Sequence, residues 1–180
     1  MSMKVLIISK SLRTNSNSDI LARKCVRGAL DAGHEVEYVS LKGKKIEYCI
    51  GCLSCIKSGR CVIQDDVKDI MEKVKQASVI IFATPIYYYE MCGQMKTLLD
   101  RLNPLYASEY AFRDIYMIAT AAENEESAFD KAYNGLQGWV DCFEKATLKG
   151  IVKGAGISDA SDALNHKNVL KSAYELGRNL

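Results

Sequence analysis

The chain alternates between short runs of unbroken apolar residues and longer stretches with apolar residues three and four apart. Val5-Leu6-Ile7-Ile8, Val79-Ile80-Ile81-Phe82-Ala83 and Ile115-Tyr116-Met117-Ile118-Ala119 are the unbroken runs, the pattern of strands covered on both faces. Residues 34–40 alternate Glu35, Val36, Glu37, Tyr38, as a half-exposed strand does, and residues 147–157 form a weaker strand interrupted by Lys149, Lys153 and glycines. Helical spacings lie between them. Ile20, Leu21, Cys25 and Ala29 share one side of a helix over residues 19–32 that stops at Gly33. Val67, Ile70, Met71 and Val74 follow Asp65-Asp66, whose carboxylates suit the free N–H groups of a helix start. Met95, Leu98, Leu99 and Leu102 precede Pro104. Phe129, Ala132, Leu136, Val140 and Phe143 predict one long helix over residues 125–146, and residues 164–180 close the chain as a helix.

Five strand–helix pairs predict a single α/β domain over residues 1–180, a three-layer αβα sandwich around a five-stranded parallel sheet. The first, third and fourth strands are continuously apolar, as central strands should be, whereas the second and fifth carry charges that edges tolerate. The order 2-1-3-4-5 satisfies this and is the flavodoxin-like arrangement. Residues 42–65 read as a long loop rich in Cys, Gly and Lys.

Composition narrows the function. The chain is 48% apolar with a formal net charge of +2, a balance that argues against disorder and against binding nucleic acid or an anionic membrane. Lys42, Lys44 and Lys45 are the one tight basic group and read as a solvated loop. No stretch is apolar enough to span a bilayer, and the apolar start is too short for a signal sequence. These readings predict a cytoplasmic protein whose seven cysteines stay reduced.

Ligands of an open parallel sheet bind beyond the carboxyl ends of its strands, here residues 9–18, 84–94 and 120–126. The first loop holds Ser11, Arg13, Ser16, Asn17 and Ser18 and runs into a helix start, where free N–H groups and the dipole favour a phosphate. An ordinary cap would need only one such residue. Neither a Walker A sequence nor GxGxxG is present. The second loop reads Thr84-Pro85-Ile86-Tyr87-Tyr88-Tyr89. Three consecutive tyrosines cannot all enter a core, and a flat ring system is a natural partner for them, though packing or a subunit contact would use them too. Thr120, Ala121 and Ala122 add small side chains and backbone groups beside the same place.

The first loop, the segment Thr84 to Tyr89, and Gln94-Met95-Lys96 with Leu99-Asp100-Arg101 resemble the NADPH-dependent FMN reductase-like branch of flavodoxin-like proteins. The cysteine segment from Cys49 to Asp66 resembles the iron–sulfur flavoproteins of that branch. The resemblance implies FMN, its phosphate at Ser11, Arg13, Ser16, Asn17 and Ser18 and its ring against residues 84–89 and 120–122. It also implies NAD(P)H as co-substrate and a homodimer or homotetramer. Two departures stand out: Lys10-Ser11-Leu12-Arg13 replaces the common Gly-Ser-Pro-Arg, and Glu90 stands where a small residue is usual.

Cys49, Cys52, Cys55 and Cys61 follow CxxCxxCxxxxxC, a spacing with which four thiolates can complete a [4Fe–4S] cluster. Uncoordinated thiols fit equally well, and zinc less well, because Cys₄ zinc sites usually pair two distant CxxC units. Cys25 and Cys142 read as helix core residues and Cys92 as packing. No catalytic acid or base is evident, since His34 and His166 read as surface or boundary residues. Three functions follow: an NAD(P)H-dependent flavin oxidoreductase reducing a small molecule or a protein, an iron–sulfur electron carrier, or a non-redox binder of another phosphate-bearing ligand.

Overall fold

The computed structural model describes residues 2–11 and 13–180. Leu12, part of the departure in the first loop, lies outside the described residues. The strands are β1 (Lys4–Ser9), β2 (Glu35–Ser40), β3 (Val79–Tyr87), β4 (Glu90–Met91), β5 (Asp114–Thr120) and β6 (Thr147–Gly154). The helices are α1 (Asn17–Asp31), α2 (Ser54–Ser58), α3 (Val67–Gln76), α4 (Gly93–Arg101), α5 (Asp130–Val140) and α6 (Lys167–Arg178).

The main sheet is parallel, in the order β2-β1-β3-β5-β6. This is the expected flavodoxin-like order with one correction. A sixth strand, β4, folds back antiparallel on the end of β3 through a two-residue turn. The alternating faces of β1 divide the core. Val5 and Ile7 pack with Leu21, Cys25 and Ala173 of α1 and α6, and Leu6 and Ile8 pack with apolar residues of α3 and α4. Pairing β1 with β3 puts two continuously apolar strands side by side, so water reaches neither face.

Helices α1 and α6 cross closely at two glycines. A Cβ on Gly28 would lie 2.0 Å from the Tyr174 carbonyl oxygen, and one on Gly177 would lie 2.1 Å from that of Cys25. This contact fixes the helix whose first turn enters the candidate site.

The long helix expected over residues 125–146 is shorter. Residues 126–129 form a 3₁₀ turn, α5 ends at Val140, and the amides of Cys142 and Phe143 then bond the carbonyls of Trp139 and Val140. Gly135 and Gly138 weaken the helix, and the tighter turn still buries Phe143. Cys142 is consequently exposed, correcting its expected core place. The closing helix begins at Lys167, with Leu164 in a separate 3₁₀ turn. Residues 42–65, expected as loop throughout, contain the short helix α2 between Leu53 and Gly59, both in left-handed conformation.

Candidate functional site

Beyond the carboxyl ends of β1, β3 and β5 lies a cleft of about 220 Å³. Its polar end is formed by Ser11, Arg13, Ser16, Asn17 and Ser18, and its apolar end by Pro85, Ile86 and Tyr87. Thr120, Ala122, Ile157 and Ser158 complete the wall.

The polar end is the start of α1. Ser16 is the N-cap, and its side-chain oxygen accepts the Asp19 amide at 3.3 Å. That is the ordinary capping role. Ser18 is different: its side-chain oxygen is buried and has no hydrogen-bond partner among the described residues. A buried hydroxyl without a partner is costly, and this one borders a cleft at a helix N-terminus, where an anion is favoured. Arg13 is held at the rim by donating from Nη1 to the Ser158 carbonyl at 2.7 Å. Asn17 is committed elsewhere: its Nδ2 donates to the Asp159 carbonyl at 2.8 Å and its Oδ1 accepts the Ala163 amide at 3.0 Å. Its side chain therefore ties the loop after β6 to α1, while the residue itself still lines the cleft.

The first turn of α1 is also anchored from behind. Asp19 accepts from Ser9, Arg23 and Tyr38. Burial alone would raise its carboxyl pKa, but these partners outweigh burial and hold it below the usual range.

The structure divides the second and third loops. Pro85, Ile86 and Tyr87 line the cleft, but Thr84 does not: its Oγ1 accepts the Cys92 amide at 3.1 Å and donates to the Pro85 carbonyl, bracing the base of the hairpin. Tyr88 and Tyr89 form the turn itself, with φ of +52° and +65°. Tyr88 is 99% exposed, and the Lys131 ammonium lies over the Tyr89 ring. Thr120 and Ala122 line the cleft, whereas Ala121 is buried and donates its amide to the Gly154 carbonyl. Ile157 and Ser158 join the site without having been expected. They follow the weakest strand, and their place at its carboxyl end was the available signal.

Cys49, Cys52, Cys55 and Cys61 line one small cavity together with Asp100, Arg101 and Asn103. Asn103 Nδ2 donates to Cys55 Sγ at 3.1 Å. The Arg101 guanidinium reaches the Cys61 thiol, and hydrogen bonds from Ser54 lower the pKa of Cys52. Three of the four sulfurs thus have a hydrogen-bond donor beside them. No three His, Cys, Asp or Glu side chains among the described residues converge tightly enough for a single ion. Cys25 is a core residue whose pKa burial pushes up to about 12, and Cys92 is buried.

The model of the family described as NADPH-dependent FMN reductase matches residues 3–135. An iron–sulfur flavoprotein of Methanocaldococcus jannaschii is 41% identical over 103 residues, 57% of this chain and 53% of that protein. The chain thus spans about half the length of the first such relatives it matches. A Bacillus subtilis protein named as a candidate NAD(P)H-dependent FMN-containing oxidoreductase is 29% identical over 184 residues, covering 97% of this chain and 96% of its own length. Among solved structures, an NAD(P)H:quinone oxidoreductase from Methanothermobacter marburgensis superposes with a TM-score of 0.78 at 20% identity, over 99% of this chain and 96% of that one. That likeness concerns the fold.

Proposed function

The chain belongs to the NADPH-dependent FMN reductase family, and from that premise we propose that its cleft holds FMN and that it passes electrons from NAD(P)H to an acceptor. The observation that carries this reading is the partnerless Ser18 hydroxyl at the start of α1, in a cleft whose other end is apolar.

FMN supplies the redox chemistry when bound, and the protein supplies position and electrostatics. Ser18, Ser16, Ser11 and the first amides of α1 would donate to the phosphate, with Arg13 adding charge at the rim. Pro85, Ile86 and Tyr87 would take the ring on one side, and Thr120 and Ala122 on another. The described residues of the cleft lining include no carboxylate and no histidine.

Titrating the apoprotein with FMN tests this reading through quenching of flavin fluorescence and the rise in melting temperature. Anaerobic addition of NADH or NADPH should then bleach the flavin band. An apoprotein that neither binds FMN nor gains thermal stability from it overturns the reading.

The cysteine cavity supports a second role, in which Cys49, Cys52, Cys55 and Cys61 hold a [4Fe–4S] cluster and the chain relays electrons between partners. Negligible steady-state turnover with simple acceptors favours the relay, and rapid turnover favours the enzyme. The exposed Tyr48, Ile50, Leu53 and Tyr88 would be covered in a homodimer or homotetramer of this one-domain chain. A cytoplasmic setting would keep the thiols reduced, and no helix is long and apolar enough to cross a membrane among the described residues.

A further inference from the structure

A second cavity, of about 370 Å³, lies on the other side of Tyr87. Lys10, Lys44, Tyr48, Gln94 and Thr97 line it with Tyr87, which is thus a wall shared with the cleft. Lys10 is unusual. It is only 4% exposed, and its ammonium donates to a single acceptor, the Leu41 carbonyl at 3.3 Å. It has no carboxylate partner among the described residues. An ammonium ion taken out of water without a counter-ion is costly.

Other features of the cavity share this sign. The N-terminus of α4 opens beside it at Gly93 and Gln94, with no side chain capping the first turn. The dipole there favours an anion. Lys44 adds positive charge, although its ammonium is paired with Asp66 at 3.2 Å. No carboxylate lines the cavity among the described residues. The exposed rings of Tyr48 and Tyr87 offer flat apolar surface at the same place.

We propose that this cavity is a second-substrate site for a planar aromatic molecule bearing an anionic group, the anion on Lys10 and the start of α4 and the ring against Tyr87. Its role as the acceptor site rests on FMN occupying the adjoining cleft, but the binding of the aromatic anion does not.

The test uses the full chain without FMN, titrated calorimetrically with naphthalene-2-sulfonate and with the neutral naphthalene-2-sulfonamide. The sulfonate should bind about tenfold more tightly. Lys10→Met should abolish that preference and leave the sulfonamide affinity unchanged. Thr97→Glu, which adds a negative charge to the lining, should weaken the sulfonate as well, and it keeps the test open if the Lys10 variant does not fold. Equal affinity for the two compounds, or a Lys10→Met protein that retains the preference, overturns the proposal. So does loss of sulfonate binding on saturation with FMN, which would place the sulfonate in the cleft. Failure of FMN to bind while the preference persists removes the functional reading and leaves the anion site standing.

Discussion

The Arg101 guanidinium grips the Asp65 carboxylate through two bonds, Nη1 to Oδ2 at 2.6 Å and Nη2 to Oδ1 at 3.0 Å, with both side chains shut off from water. The same guanidinium donates to the Glu47 carbonyl at 2.7 Å, and Asp65 accepts the amides of Glu47 and Val67. One ion pair therefore clamps both ends of the cysteine segment to the end of α4. Removing one member of a buried pair leaves an uncompensated charge. Arg101→Ala should cost about 3–5 kcal/mol of stability, measured by urea unfolding. It should also speed alkylation of Cys61. Replacing both residues by leucine should recover part of the stability but not the order of the segment, because the Glu47 carbonyl stays unpaired. An unchanged midpoint for Arg101→Ala would show that the clamp is dispensable.

The same pair sets an acid limit. Burial alone would raise the Asp65 carboxyl, but Arg101 and the amides of Glu47 and Val67 outweigh it and hold its pKa below the usual range. Asp19 behaves alike, held down by Tyr38, Arg23 and Ser9. A carboxyl depressed by folding contributes its full stability above the unfolded value of about 3.9 and loses it as pH falls toward the folded value. The melting temperature should hold between neutral pH and about pH 5 and fall below about pH 4. Asp65→Asn should be less stable at neutrality and show a shallower acid decline. A parallel decline in both proteins would remove Asp65 from the account.

The strands and their order were legible because a sheet buried on both faces must be built from unbroken apolar runs, and β1, β3 and β5 are. The polar end of the cleft was legible as the serines before α1. Long-range pairing was not. Nothing local distinguishes Ser18, left without a partner, from Asn17 beside it, whose partners lie more than 140 residues away. Arg101 stood in a recognisable segment, yet its burial depends on Asp65, which looked like a helix start and is that too through the Val67 amide. Thr84 and Ala121 are chain neighbours of cleft residues yet are buried in the structure instead.

Ser18 and Asn17 should separate binding from stability. The Ser18 hydroxyl has no partner to lose, so Ser18→Ala should leave the apoprotein as stable as before or slightly more so. A hydrogen bond to a charged group contributes about 1.5–3 kcal/mol, so FMN affinity should fall roughly tenfold to a hundredfold. Asn17→Ala breaks two bonds inside the protein and should lower the melting temperature without FMN. Titration and melting of both variants check this, and an unaltered FMN affinity for Ser18→Ala would count against the phosphate site.

The cysteine cavity separates ligands from bystanders. Anaerobic reconstitution with ferrous iron and sulfide should produce a broad visible band that bleaches on reduction, with about four irons per chain. Cys55→Ser should lose iron and band together, because Cys55 is the sulfur to which Asn103 donates. Cys142→Ser, on the surface and outside the cavity, should keep both. Equal iron in the two variants would mean the metal is not held by the cavity.

The hairpin tip carries the most local strain beside the site. Tyr87 pairs with Glu90 across the turn, so Tyr88 and Tyr89 occupy the two central positions with positive φ. Two-residue hairpins favour Asn-Gly there, because the left-handed region costs other residues about 1–2 kcal/mol each. Changing Tyr88 to Asn and Tyr89 to Gly should stabilise the apoprotein by about 1–2 kcal/mol. The gain falls short of the full strain because the Lys131 contact over Tyr89 is lost. Neither ring lines the cleft, and the pairing of Ile86 with Met91 still fixes the direction of Ile86 and Tyr87. FMN affinity should therefore stay within about twofold while the melting temperature rises. A rise accompanied by loss of FMN would mean that the strained turn, not the strand pairing, holds Tyr87 against the cleft. No rise at all would mean that the two exposed rings stabilise the tip by as much as its backbone costs.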